Sequence, residues 1–285
     1  MISGSVTNEC LTLAPFCDAD LETARKNQPN SFFRIAPPDP IQGRAMARFA
    51  AQMNIKRVAA VNIWTGPPYG YGEPYVKQFE RELSARGGQM VAVRDVPRPT
   101  HDYTDFLSLA RGAGAEAIYA VGDSGSGLCA LRLQMRTDFK YLFVTDGITG
   151  DDDCLKGANL VPATYGTYGA VDATLSSDPA AVKIVAAFRK AYPHAPNNDL
   201  YTFASYDCAR ILIMAIEKAI DARGGGIPTR QEVLRQVASG EFDGGATGNY
   251  RFLPSGDAAS PTMSIWGVKD NHWYYMDRID ASAAS

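Results

Sequence analysis

Apolar residues along the chain fall into two alternating patterns. Short β-branched or aliphatic runs are separated by stretches in which apolar positions recur every three or four residues, which predicts βα units and a mostly parallel sheet. The first helix is predicted from Asp39, a capping residue type. Pro40 suits its first helical position, and Met46, Phe49, Ala50 and Met53 share one face. Residues 57–63 then read as a buried strand. After a Pro-, Gly- and Tyr-rich loop over 64–72 comes a helix with Tyr75, Phe79 and Leu83 on one side, stopped by Gly87 and Gly88. A strand over 90–96, a helix over 104–113, a strand over 117–121, a helix over 126–136 and a strand over 141–145 continue the alternation.

Asp151, Asp152 and Asp153 open a short helix, where negative charge complements exposed N–H groups, and 163–168 supplies another strand. From 179 to 238 the pattern changes to three helices with almost no strand between them. The chain closes with a strand over 248–252, a turn at 254–257 and two strands over 263–268 and 272–276.

A length of 285 residues is long for one hydrophobic core and comfortable for two, so two lobes are expected. Hydrophobic residues at 46% and charged residues at 21% are those of a globular chain and exclude a disordered or fibrous one. A net charge of −3 with no block of basic residues lacks the footprint of a nucleic-acid binder. The longest apolar runs, at 58–61 and 211–216, fall far short of the roughly 20 residues that cross a bilayer. The opening residues do not read as a secretory signal. Five cysteines without a Cys-x-x-Cys pair make neither a disulfide scaffold nor a zinc framework, although Cys10 and Cys17 are close enough in sequence to close a small ring.

The order and wording of these pieces resemble the type I periplasmic-binding fold, in particular the leucine/isoleucine/valine-binding branch of ABC-transporter substrate-binding proteins. The matching segments are ISGSVTN at 2–8, FRIAPPD at 33–39 with QGRA at 42–45, Tyr71-Gly72 with Phe79, and TDG at 145–147. Further on come Tyr206-Asp207, Asp243-Gly244 with Thr247-Gly248, and PSGD at 254–257. The resemblance implies an α/β protein of two lobes, each a mostly parallel sheet flanked by helices. Lobe one would be formed by 1–36 and 172–253 and lobe two by 37–171 and 258–285, with hinge crossings near 36–38, 169–172 and 253–257. Members of this branch begin with further first-lobe elements, so lobe one is expected to be incomplete on its N-terminal side, with an exposed sheet edge.

The function implied is that of an extracytoplasmic solute-binding protein in the periplasm or cell envelope. It would bind an amino acid, branched-chain or similar, or a related amide between two lobes that close on it, and deliver it to a membrane permease of an ABC transporter. A cytoplasmic amide or amino-acid sensor on the same fold is the alternative.

Ligands of parallel α/β lobes meet the loops at the carboxyl ends of strands, which selects the candidate residues. Ser5 and Thr7 follow the first strand, where hydroxyls and neighbouring N–H groups could hold a carboxylate; the competing reading is a Ser/Thr turn. Asp146 directly follows 141–145 and is the candidate to neutralise a ligand ammonium, as an acidic residue at the matching place does in amino-acid-binding members; a capping or turn role competes. Asp123 holds the analogous place after 117–122 and could add a second acceptor, favouring a cationic or amino ligand. Tyr71 resembles the family's cleft tyrosine, and Trp64 and Tyr69 offer flat rings in the same loop.

Ser124 lies in GDSGSG at 122–127, which misses the nucleophile-elbow pattern and reads better as a helix N-terminus facing ligand. His101, His194 and His272 are scattered and give no nucleophile a partner. The Asp151–Asp153 run lacks the spacing of a calcium loop, and Gly66, Gly70 and Gly72 do not form a dinucleotide fingerprint. No metal, cofactor or enzymatic activity is expected.

Overall fold

The chain changes folding unit three times, after Pro38, Tyr168 and Thr262. Unit 1 is Met1–Pro38 with Gly169–Thr262, and unit 2 is Asp39–Tyr168 with Met263–Ser285. The third change falls a few residues beyond the 253–257 turn, which stays in unit 1 because Asp257 is tied to Arg34 there. The computed structural model describes residues 1–12, 30–64, 72–136, 138–155, 163–169, 173–195, 200–259 and 261–282.

Unit 1 opens with two short parallel strands, β1 (Ile2–Ser3) and β2 (Phe33–Arg34), with Ile2 opposite Phe33 and Ser3 opposite Arg34. Unit 2 holds β3 (Arg57–Trp64), β4 (Gln89–Pro97), β5 (Ala117–Val121), β6 (Tyr141–Val144), β7 (Ala163–Tyr168), β8 (Thr262–Lys269) and β9 (His272–Asp280). They form one sheet in the order β4-β3-β5-β6-β7-β8-β9, parallel through β7 and antiparallel from β7 to β8.

The runs without polar alternation are the inner strands. Every residue of β5 is buried, and β3 sends Val58 and Ala60 to one face and Ala59, Val61 and Ile63 to the other. The first face is covered by α1 (Asp39–Gln52) and α2 (Glu73–Ala85), the second by α3 (Thr104–Gly112) and α4 (Leu128–Met135). Phe79 of α2 stacks on Tyr119 of β5 with ring centroids 4.4 Å apart, and burying a ring of this size contributes about 1.5–3 kcal/mol. Strand–helix connections of this kind put the carboxyl ends of β3, β5 and β6 at the same end of the sheet, which is the rim that positions the candidate site.

Two predicted helices are shorter in the structure. The 126–136 segment becomes a 3-10 turn at Ser124–Ser126 followed by α4, because Gly127 between them has a left-handed φ of 92°. The Asp151–Asp153 run becomes a 3-10 turn over Asp152–Leu155. Cys154 in that turn is joined to Cys129 of α4 by a disulfide that spacing alone did not indicate. The Cys10–Cys17 pairing involves Cys17, outside the described residues.

The rest of unit 1 is helical. It contains α5 (Pro179–Ala191), α6 (Leu200–Ala222) and α7 (Arg230–Ser239). Asp178 caps α5 by accepting from the Ala180 N–H at 2.7 Å, with Pro179 at the first helical position. A small core joins Ala173, Val185, Phe203 and Ala246. The strand predicted at 248–252 is reduced to isolated bridges, Phe242 with Tyr250 and Phe252 with Ala258. The preceding loop is instead committed to a side chain: buried Asp207 of α6 accepts from the N–H groups of Ala246 and Thr247 and from the Thr247 hydroxyl.

Candidate ligand-binding site

In unit 2 the loops after β5 and β6 are pressed together. The Thr145 hydroxyl donates to the Gly122 carbonyl at 3.1 Å, and the Ser124 N–H donates to the Gly147 carbonyl at 3.2 Å. A side chain at Gly147 would overlap the Gly122 carbonyl, so glycine is what permits this approach. Asp123 and Asp146 are thereby held on neighbouring loops just beyond two adjacent parallel strands.

The two carboxylates have different surroundings. Asp123 is partly exposed and paired with Arg98, Nη2 to Oδ1 3.1 Å, so its charge is already met by a cation of its own unit. Asp146 is approached by the Tyr75 hydroxyl, 3.2 Å from its Oδ1. That hydroxyl also lies 2.9 Å from Asp39 Oδ1 and accepts from the Gln42 amide at 3.1 Å, and the Thr167 hydroxyl donates to Gln42 Oε1 at 3.2 Å. Tyr75, Asp39, Gln42 and Thr167 are all buried. The first turn of α2, the first turn of α1, β7 and the end of β6 therefore meet in one polar network. In a low-dielectric interior such a network fixes its members strongly, because each lost partner leaves a desolvated group behind.

The reason these residues meet lies in the helices. Asp39 and Gln42 are three apart and share a face at the start of α1. A Cβ at Gly43 would overlap the Tyr75 carbonyl oxygen, so the glycine lets α1 and α2 close to the distance at which Asp39 and Gln42 reach the phenol.

In unit 1 the loop after β1 carries Ser5, which is exposed, and Thr7, which is half-buried. The N–H groups of Ser5 and Val6 both donate to Ser3 Oγ, at 3.3 and 3.0 Å, so these two donors are engaged within the loop. The loop is anchored by Arg34, fully buried in β2. Its guanidinium donates to the carbonyls of Asn8 at 2.7 Å and Val6 at 3.4 Å, to the Thr12 hydroxyl, and to Asp257 Oδ1 at 2.7 Å.

The structure thus brings Asp123, Ser124 and Asp146 together on the unit 2 rim and places Ser5 and Thr7 on one loop of unit 1. Trp64 ends β3, with its side chain outside the described residues, as are Tyr69 and Tyr71. Sequence reasoning passed over Tyr75, Asp39, Gln42 and Arg34. Tyr75 reads as a core position of an apolar helix face, which is correct for its ring; Asp39 reads as a cap, whereas it is the first residue of α1 and its carboxylate meets the Tyr75 hydroxyl, a polar role that only the tertiary approach of α1 to α2 supplies. Among the described residues no group of three or more His, Cys, Asp or Glu side chains could hold a metal ion, and no helix is long and apolar enough to cross a membrane.

A two-unit α/β chain with a polar rim at the carboxyl ends of parallel strands belongs, by architecture, with the ligand-binding proteins of this topology. The sequence profile of the periplasmic binding proteins matches residues 8–272, and the chain belongs to that family, with its type I α/β fold. No curated protein sequence matches the chain.

Among solved structures, a leucine-binding protein from Thermotoga maritima is 22% identical with a TM-score of 0.76, the alignment covering 98% of this chain and 73% of that one. An ABC transporter substrate-binding protein from Desulfitobacterium hafniense in complex with Leu is 19% identical with a TM-score of 0.69, covering 97% and 72%. An ABC transporter solute-binding protein from R. palustris in complex with benzoate is 17% identical with a TM-score of 0.66, covering 89% and 67%.

Proposed function

We propose that this chain is the extracytoplasmic solute-binding component of an ABC transporter, working in the periplasm or cell envelope, and that its ligand is an amino acid, branched-chain or similar, or a related amide. It delivers the ligand unchanged to a membrane permease. The observation that carries this reading is Asp146: a carboxylate at the carboxyl end of β6, oriented by a buried hydroxyl and close to a second carboxylate, Asp39, is built to accept from a protonated amine. Asp123 is the secondary acceptor, weakened by its pairing with Arg98. The hydroxyls of Ser5 and Thr7 are the groups unit 1 offers to a ligand carboxylate, and the Tyr71, Tyr69 and Trp64 rings are proposed to cover its apolar side chain.

The test is a thermal-shift screen of the chain against amino acids, their amides and benzoate, the last because a protein of comparable similarity is in complex with it. Mass action raises the melting temperature for any solute that binds the folded state alone. The expected result is a rise with one or more amino acids or amides that disappears in Asp146→Ala. A response to benzoate alone, or an amino-acid response that survives in Asp146→Ala, would overturn the reading.

A further inference from the structure

Tyr75 stands where the packing of unit 2 and its polar rim meet. Its ring is fully buried among the apolar residues of α1, α2 and the sheet, and that packing does not need the hydroxyl. The hydroxyl faces three polar groups: Asp39 Oδ1 at 2.9 Å, the Gln42 amide at 3.1 Å and Asp146 Oδ1 at 3.2 Å. Gln42 is turned with its nitrogen toward the phenol because its oxygen is taken by the Thr167 hydroxyl. A phenol has one proton to give, so Tyr75 can donate to Asp39 or to Asp146 but not to both at once. Two carboxyl groups are therefore tied through one oxygen and share one of their donors. A group that approaches this pair favourably is one that brings several N–H donors and a positive charge, which a protonated amine does. A ligand carboxylate brings acceptors and negative charge and is opposed by the same pair.

We infer that Tyr75 is the positioning residue that sets the Asp146 carboxylate and makes the unit 2 rim select ligands by their amine. The inference rests on the amino-ligand reading of the site and assigns its selectivity to a residue expected to be only part of the core. Tyr75 does not touch the ligand in this role. It acts by donating to Asp146, with the Gln42 amide, itself held by Thr167, fixing the phenol oxygen.

The experiment uses the whole chain and two probes that share a side chain, L-leucine and its des-amino analogue 4-methylpentanoate, titrated by calorimetry into the wild type, Tyr75→Phe and Asp146→Asn. Phenylalanine keeps the buried ring and removes only the hydroxyl. Loss of one hydrogen bond to a charged group is expected to weaken leucine binding about tenfold or more in Tyr75→Phe, with the 4-methylpentanoate affinity unchanged or improved. Asp146→Asn should show the same selective loss. Equal weakening of both probes, or full leucine affinity in Tyr75→Phe, overturns the inference while leaving the binding function standing.

A wild type that binds neither probe counts against the amino-ligand reading instead. The role of Tyr75 is then read without ligand, from crystal structures of the wild type and Tyr75→Phe. The Asp146 carboxylate should leave its wild-type position or rotamer once the hydroxyl that meets it is gone. An unmoved carboxylate would overturn the inference on its own.

Discussion

Arg34 Nε lies 2.7 Å from Asp257 Oδ1 in unit 1, and both side chains are almost wholly removed from water. The pair joins β2 to the 254–257 turn, and the same guanidinium holds the carbonyls of Val6 and Asn8. A single buried cation thus fixes the loop that carries Ser5 and Thr7. Asp257 is itself supported by the hydroxyls of Thr12 and Ser255, at 2.8 and 2.9 Å.

Removing one partner of such a pair strands the other charge without water. Arg34→Met should therefore cost about 3–5 kcal/mol of unfolding free energy, and Asp257→Leu a comparable amount. The double variant should cost clearly less than the sum, since no charge is then left uncompensated. Urea unfolding of the four proteins checks this, and strict additivity would mean that the pair contributes no coupling.

The contrast between what the residues announce and what they conceal follows from range. Inner strands such as 117–121 are legible because burial on both faces demands an apolar residue at every position, and the helix at 73–85 because Tyr75, Phe79 and Leu83 recur on one face. Asp123 and Asp146 are legible because a polar residue directly after such a strand must lie on the rim. Arg34 and Asp257 are 223 residues apart, and Tyr75 and Asp146 are 71 apart. No local periodicity records a partner at that distance. In sequence Arg34 is only a charged residue of the FRIAPPD segment, and only the folded unit shows that it is buried.

The N-terminus of α7 carries a reciprocal cap: the Thr229 hydroxyl accepts from the Glu232 N–H, and Glu232 accepts from the Thr229 N–H and hydroxyl. These bonds, with Arg223 beside the carboxylate, hold Glu232 down at about 2, from an ordinary 4.5. A depressed carboxyl contributes stability that is fully present above its unfolded value and is lost as pH falls through the folded one. The wild type should therefore lose stability between about pH 4.5 and pH 2 more steeply than Glu232→Gln, as followed by circular dichroism of thermal unfolding at each pH. Parallel slopes would show that the cap does not titrate in this window.

Cys129 and Cys154 close a loop with a sequence separation of 25 between α4 and the turn over Asp152–Leu155. Restricting a loop of this length in the unfolded chain is worth about 3 kcal/mol. Cys129→Ala/Cys154→Ala should unfold at correspondingly lower urea, and reductant should lower the wild type by more than it lowers the double variant, in which Cys10 keeps its own disulfide. A reductant effect of equal size in both would place the sensitivity elsewhere.

Cys208 is buried in α6 beside Asp207, and burial, reinforced by that carboxyl, pushes its thiol up to about 12 from an ordinary 9. Since the thiolate is the reactive form, a rise of that size alone slows alkylation roughly a thousandfold near neutral pH. The peptide carrying Cys208 should remain unmodified by iodoacetamide in the native protein and be modified promptly in urea, as read by mass spectrometry. Rapid native labelling would show that α6 opens far more easily than its packing suggests.

Gly43 links stability to the site most directly. A methyl group there would meet the backbone carbonyl of Tyr75, which cannot turn aside as a flexible side chain could. Gly43→Ala must push α1 from α2, and against a rigid backbone carbonyl the overpacking strain, up to about 3 kcal/mol, exceeds the roughly 1 kcal/mol gained from better helix propensity. The displacement would also carry Asp39 and Gln42 away from the phenol, so on the proposed amino-ligand reading ligand binding should weaken together with stability. Gly112 is the matched control: it ends α3, and a Cβ there meets nothing within 4 Å. Gly112→Ala should be neutral or stabilising by up to about 1 kcal/mol, with ligand affinity unchanged. If the two alanine variants behaved alike in unfolding and in calorimetry, the close approach of α1 to α2 would not be what holds the Asp39, Tyr75 and Asp146 network in register.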